Sequence, residues 1–274
     1  MKKLIITLYL FISFPLMAES SGSVDKAEIT FGASLLDFTY KEFDDNNVLL
    51  DREDGLIPGF ILGYRQNKNN LFTELSFSYH ATDIQYDGQT QSGIPVKTRS
   101  DADILDLSFK VGSQYQTENK YQYELYAGLG YHLWQRNIRS TATVLGIFEE
   151  YDWFYFLLGA KLPLLKTVDS RLDFDIQYAR MMKANIFVQL SSLGADDVNL
   201  RLGKKNIYRF SFPWRMIMKN SSVWVIEPYY EFWEIGKSET KPVTIGGIPT
   251  PFVVWEPRSE TNNVGVNLKL VVPF

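Results

Sequence analysis

The chain holds only two histidines, His80 and His132. Imidazole is the one side chain whose unperturbed titration falls near neutrality, so each is a candidate acid or base. In His80-Ala81-Thr82 a base and a hydroxyl stand two residues apart. On an extended strand such residues share a face, the relation that a base needs to a nucleophile. Both histidines face inward near the outer ends of their strands, the strand between them carries inward Asp106, and Trp134, Trp153 and Tyr155 would line the same upper-lumen region. A His/Asp group in a cleft is an acid–base candidate. The commoner use of such residues is a structural polar network under loops, and that reading is favoured. No phosphate loop, nucleotide fingerprint or metal-ligand spacing occurs in the sequence, so no cofactor and no metal is expected.

These residues sit in a chain of alternating segments. In Leu71, Thr73, Leu75, Phe77 and Tyr79 one face is mostly apolar, while Phe72, Glu74, Ser76, Ser78 and His80 form the other. From 121 to 134 the split is sharper: Tyr121, Tyr123, Leu125, Ala127, Leu129, Tyr131 and Leu133 against Gln122, Glu124, Tyr126, Gly128, Gly130, His132 and Trp134. Ten segments follow this rule, at roughly 27–40, 57–65, 71–82, 103–115, 121–136, 150–164, 171–180, 206–218, 223–235 and 262–274. Connections alternate between short turns (66–70, 116–120, 165–168, 219–222) and long loops (41–56, 83–102, 137–149, 181–205, 236–261). The pattern predicts an all-β fold: a closed, up-and-down antiparallel transmembrane β-barrel of about ten strands, apolar face to lipid and polar face to the lumen. A soluble β-sandwich also alternates, but it hides its apolar face in a core and needs no aromatics at both ends of each strand. Aromatics reach 15% of residues, with 16 Tyr and 19 Phe. Such rings collect at membrane–water interfaces. A formal net charge of -4 argues against a nucleic-acid partner, and without cysteine no disulfide can brace the fold.

With faces assigned, the inward charges are ordered. Odd segments carry acids: Glu28, Glu74, Glu124, Asp173 with Asp175, and Glu227 with Glu231. Even segments carry bases: Arg65, Lys110, Lys161, Arg209 with Arg215, and Lys269. Asp106, Arg136 and Arg171 break the rule. A charge in a narrow lumen has lost much of its water and needs a partner. Alternating signs on neighbouring strands supply one, with Lys269 closing onto Glu28. A barrel of this size has little room once its side chains are in place, so a plugged lower lumen is expected. Val243-Thr244-Ile245 and Phe252-Val253-Val254-Trp255 predict a hairpin beyond the membrane, and Ile186-Phe187-Val188 with Val198-Asn199-Leu200 a second. If either enters the membrane, the count becomes twelve.

Residues 1–18 read as an export signal: Lys2 and Lys3, an apolar run from Leu4 to Met17, and small Ala18 before polar Glu19-Ser20-Ser21-Gly22. Residues 19–274 would form the barrel. Val264, Val266, Leu268, Leu270, Val272 and Phe274 alternate to the last residue. This ending resembles the terminal signal of Gram-negative outer-membrane proteins. The resemblance implies an outer-membrane location after export, insertion machinery that reads the strand ending at Phe274, and lipid and lipopolysaccharide as partners. Acidic Asp44-Asp45 and Asp51-Arg52-Glu53-Asp54 could hold calcium; a solvated loop, or a cation bridging to lipopolysaccharide, is the simpler role. In size the barrel resembles the omptin proteases by architecture only, since their Asp-x-His element does not occur. Lipid-cleaving barrels use His-x-Ser, and His80-Ala81-Thr82 departs from it by Thr for Ser. The favoured function is a non-enzymatic surface protein, in adhesion, ligand contact or envelope integrity, with no identified surface ligand. A narrow porin, and a hydrolase acting on lipid or peptide, are the alternatives.

Overall fold

The computed structural model describes residues 26–90, 93–116, 121–219 and 221–274. The export signal, the turn at 117–120 and Asn220 lie outside the described residues. Seven long strands come first: β1 (Lys26–Phe43), β2 (Leu49–Lys68), β3 (Leu71–Gln89), β4 (Pro95–Gln116), β5 (Gln122–Ile138), β6 (Ile147–Lys166) and β7 (Ser170–Gln189). Three short strands follow, β8 (Val198–Arg201), β9 (Asn206–Ser211) and β10 (Trp214–Ile217), and then β11 (Val223–Ile235), β12 (Lys241–Ile245), β13 (Ile248–Val254) and β14 (Arg258–Pro273).

Every long strand pairs antiparallel with its chain neighbours, and β14 closes onto β1 with Leu268 opposite Ala33. β8, β9 and β10 together make one interrupted stave. Each of the three pairs with β7, and β9 and β10 pair with β11 on the other side. One interruption falls at Phe212-Pro213, where proline has no N–H for the ladder. The result is a closed ten-stave barrel with no free edge. β12 and β13 pair only with each other, so this hairpin stays off the barrel wall. The second expected hairpin is the outer end of the wall itself, with Val188 opposite Val198.

Side chains follow the expected alternation. Phe31, Leu62, Phe109, Leu129, Leu158 and Val266 are exposed on the outer face. Between them, inward Ser34, Arg65, Ser108, Glu124 and Asn267 are buried. Some inward rings lie flat across a glycine on the next strand. Tyr155 faces Gly130 and Tyr126 faces Gly159 in register, and a Cβ on either glycine would collide with the ring. That close approach is the reason for glycine there.

The strands overrun the expected segments at the outer end. β3 continues to Gln89, β4 begins at Pro95, β7 reaches Gln189 and β14 starts at Arg258. The long loops are therefore mostly ladder. The reason is an inversion of polarity along each strand. Past the lipid belt the outward residues are Asp54, Asp83, Asp101, Asn137, Glu150 and Glu260, whereas the inward ones are Ile57, Ile84, Trp134 and Tyr151, all fully or almost fully buried. Water surrounds the wall there, and the interior becomes the dry side.

Candidate functional site

Three layers stack inside the barrel. At the turn end lies a cavity of ≈ 460 Å³, lined in part by Glu28, Arg65, Gln114, Glu124, Asp173 and Arg215. A second cavity of ≈ 220 Å³ continues upward between Arg65, Lys110, Arg209, Glu227, His80 and Trp153. All thirteen charged residues expected in the lumen line one or both cavities. Arg65 binds Glu124 at 2.7 Å and Glu74 at 3.2 Å, while its guanidinium stacks on Phe72. Lys161 sits between Glu124 (3.4 Å) and Asp175 (3.8 Å), and Lys110 reaches Glu74 (3.5 Å). Arg209 spans Glu231 and Glu227 at 3.1 and 3.4 Å. Asp173 pairs with Arg171 at 2.6 Å, one of the residues that broke the sign rule. The expected closure of Lys269 onto Glu28 does not occur. Register sets Lys269 opposite Gly32, four residues above Glu28, so it binds Glu227 at 2.6 Å. Glu28 instead has Arg215 at 3.8 Å.

The expected upper-lumen group divides into three parts. Asp106, His132 and Trp153 are neighbours across β4, β5 and β6. His132 Nδ1 lies 3.3 Å from Asp106 Oδ2, and its ring stacks on Trp153 with centroids 4.1 Å apart. Tyr155 donates its hydroxyl to the same carboxylate at 2.9 Å. His80 is not part of this set: its Nε2 meets Ser34 Oγ at 2.8 Å. A directed chain fixes the proton positions. The Glu227 carboxylate can only accept, so Asn267 turns its Nδ2 toward it (3.1 Å) and its Oδ1 toward Ser34. Ser34 then donates to that Oδ1 at 2.7 Å, which leaves Ser34 Oγ to accept from His80 Nε2–H. A histidine that donates to a hydroxyl is not the base that activates it.

Trp134 stands one layer higher. It packs against Phe38 (5.4 Å), Tyr40 (4.9 Å) and Tyr151 (4.8 Å, stacked). Above these rings Arg136 is 1% exposed and holds four carboxylates: Asp51 at 2.6 Å, Glu53 at 2.7 Å, Glu42 at 2.8 Å and Glu149 at 3.0 Å. Tyr40 and Tyr151 donate to a fifth, Glu256, at 3.2 and 2.7 Å. Glu256 lies in the return from the β12–β13 hairpin, so the hairpin root is tied to this centre.

One guanidinium cannot balance five buried carboxylates. Burial, then the charge of neighbouring carboxylates, raises the carboxyls of Asp51 and Glu256 well above the usual range against the pull of Arg136. Burial also raises Glu53. Glu149 is pushed up to about 7, again first by burial. The centre holds protons near neutrality.

Arg136 is an exception to the sign rule of the sequence, and Asp51–Asp54 fall within an expected loop. The structure separates those four by parity: Asp51 and Glu53 turn inward to Arg136, whereas Arg52 and Asp54 pair outside at 2.8 Å. Continuing the period-two pattern from β2 and β5 would have found this centre. Asp44 caps its own turn by accepting from the N–H groups of Asn46 and Val48, and Asp45 pairs with Lys237.

The geometry is that of an outer-membrane barrel, and the comparisons agree. The profile of the family described as "Outer membrane protein beta-barrel domain" matches residues 6–210, and the chain belongs to this family. No curated protein sequence matches it. Among solved structures it is similar to the outer membrane protease OmpT from Escherichia coli, with TM-score 0.57, 10% identity, and 93% of this chain and 99% of that chain covered. The translocator domain of autotransporter NalP from Neisseria meningitidis matches with TM-score 0.44 and 8% identity, over 90% and 89% of the two chains. The outer membrane protein OprG from Pseudomonas aeruginosa matches with TM-score 0.41 and 9% identity, over 92% and 97%. At 10% identity the first likeness speaks for the fold alone, and the other two carry no argument.

Proposed function

We propose that this protein is a closed, non-enzymatic surface protein of the outer membrane, acting through its outer rim and the β12–β13 hairpin in ligand contact or envelope integrity. The observation that carries this reading is the double layer at the outer end of the lumen. Trp134, Tyr40, Tyr151 and Phe38 are 0% exposed, and Arg136 with its carboxylates lies directly above them. A solute would have to displace both an aromatic stack and a buried ion cluster. Against acyl transfer stands the hydrogen-bond direction at His80, which leaves the Ser34 hydroxyl without a base. The test is conductance of the refolded chain in a planar bilayer. The reading predicts no discrete steps from the wild type, and steps from a Trp134→Ala/Arg136→Ala variant that keeps heat-modifiable gel mobility. Steps from the wild type would replace it with the narrow-porin reading, for which the two lumen cavities speak.

A further inference from the structure

Among the described residues most cations on the outward face above the lipid belt stand in an ion pair, although Lys41 on β1 does not. Arg52 pairs with Asp54, Lys97 with Asp87, Arg99 with Asp83, Arg139 with Asp101 and Arg258 with Glu260. Each of these acids lies outside the wall beside its base. On the β7–β8–β9 side this pairing fails. Among the described residues the side chains of Arg180, Lys183, Arg201 and Lys204 form no ion pair within 4.0 Å, although the backbone N–H of Arg201 donates to Glu239 at 3.2 Å.

The four form one patch. Arg180 stands opposite Asn206 and donates to its Oδ1 at 2.7 Å, an oxygen that Tyr178 also reaches at 3.1 Å. Arg201 stands opposite Asn185. Between them the β6–β7 register slips, so that Met182 and Lys183 are both exposed. Lys204 lies in the link between β8 and β9, which backbone bonds from Leu202 to Ala184 and from Met181 to Lys205 hold against this slip. The nearby acids have other partners. Asp152 accepts from Asn185 and Glu234 faces Lys205 at 3.9 Å, while Glu239 pairs with Lys241 at 3.2 Å and accepts from the Arg201 N–H at the same distance. Directly below, Phe156, Tyr178 and Tyr208 form a run of outward rings in contact. Aromatic rings mark the level of lipid headgroups. The patch thus lies where the wall leaves the bilayer, with four positive side chains against the Glu239 carboxylate, which it shares with Lys241.

We infer that Arg180, Lys183, Arg201 and Lys204 form a docking site for the phosphate groups of an anionic lipid in the outer leaflet. Guanidinium and ammonium groups are suited to phosphate, and surface bases near a membrane attract anionic lipid. The aromatic run beneath would lie against the same lipid's acyl chains.

The test titrates fluorescent lipopolysaccharide into the full folded chain in neutral detergent. The Arg180→Gln/Lys183→Gln/Arg201→Gln/Lys204→Gln variant should bind at least tenfold more weakly, with a flatter salt dependence. A control carrying Lys97→Gln/Arg99→Gln/Arg139→Gln should bind as the wild type does, and phosphatase-treated lipopolysaccharide should abolish the difference. Lys183→Gln/Lys204→Gln, at two exposed positions, gives a milder variant with an intact ladder and should lose part of the affinity. Equal affinity of patch variant and wild type, or equal loss in the control, would overturn the site. Displacement by inorganic phosphate beyond that of chloride at equal ionic strength would overturn the lipid as its occupant.

Discussion

Replacing Arg136 by Met removes the only cation among the described residues that touches Asp51, Glu53, Glu42 and Glu149, at 2.6–3.0 Å. Breaking a buried ion pair from one side costs about 3–5 kcal/mol, because the stranded charge stays buried. Here the carboxyls can escape by taking up protons, so the loss must depend on pH. In the wild type Glu149 holds its proton up to about 7, against an ordinary value of 4.5. Between those values an unfolded chain releases the proton and the folded one keeps it. Stability therefore falls as pH rises through that window, by about 3 kcal/mol from this group alone at 1.36 kcal/mol per unit. Arg136 opposes the shift at Asp51, Glu53, Glu149 and Glu256, so its removal raises these groups further and steepens the slope. We expect Arg136→Met to cost about 3–5 kcal/mol at pH 8 and clearly less at pH 5. The assay is urea unfolding of the refolded barrel at both pH values, paired with proteolysis of the 190–197 loop and the β12–β13 hairpin. The hairpin should be cut first, since Glu256 anchors its root. A loss below about 1 kcal/mol at pH 8, or the same loss at both pH values, refutes the reasoning, because exposed pairs contribute no more than that.

Glu149→Gln keeps an acceptor for Arg136 and Tyr151 but removes the titrating proton, so the wild-type fall in stability between pH 4.5 and 7 should flatten in the same urea series. In the lower lumen, Arg65→Met leaves Glu124 with Lys161 at 3.4 Å and should cost less than the about 3–5 kcal/mol of a fully stranded charge, and adding Glu124→Met should recover part of it; a cycle with no coupling would mean that the pair is solvated. Gly130→Val sets a branched side chain against the Tyr155 ring and should prevent folding or slow it strongly, read by loss of heat-modifiable mobility, while Gly247→Ala, whose strain at φ +80° stays local to a hairpin tip off the barrel wall, should leave mobility unchanged.

The wall was legible because lipid and lumen impose opposite polarities on successive residues. Leu125, Leu129 and Tyr126 needed nothing more than their parity to be placed. The outer extensions were hidden because the rule turns over where lipid ends. In 97–105 apolar residues face inward and charges outward, and a search for apolar-out, polar-in strands stops there. For the same reason Asp51 and Glu53 passed as loop acids. Ion-pair partners were legible only as far as strand adjacency goes. Which base meets which acid depends on stagger, and stagger moved Lys269 from Glu28 to Glu227. The directed chain from His80 to Glu227 joins β3, β1, β14 and β11, and closure of the barrel alone brings those strands together.

The account depends on the two faces of the wall and on the seal at its outer end, and because the chain has no native cysteine one labelling series reads both. Single cysteines replace Leu107, Leu129 and Val266 on the outward face, and Ser76, Ser78 and Ser108 on the inward face. Fluorophores at the first three should be quenched by nitroxide-bearing lipids, whereas the inward thiols should escape that quencher and resist a charged thiol reagent added from the outer-loop side. Quenching of the inward set by lipid, or fast reaction of Ser78→Cys from that side, would contradict the account.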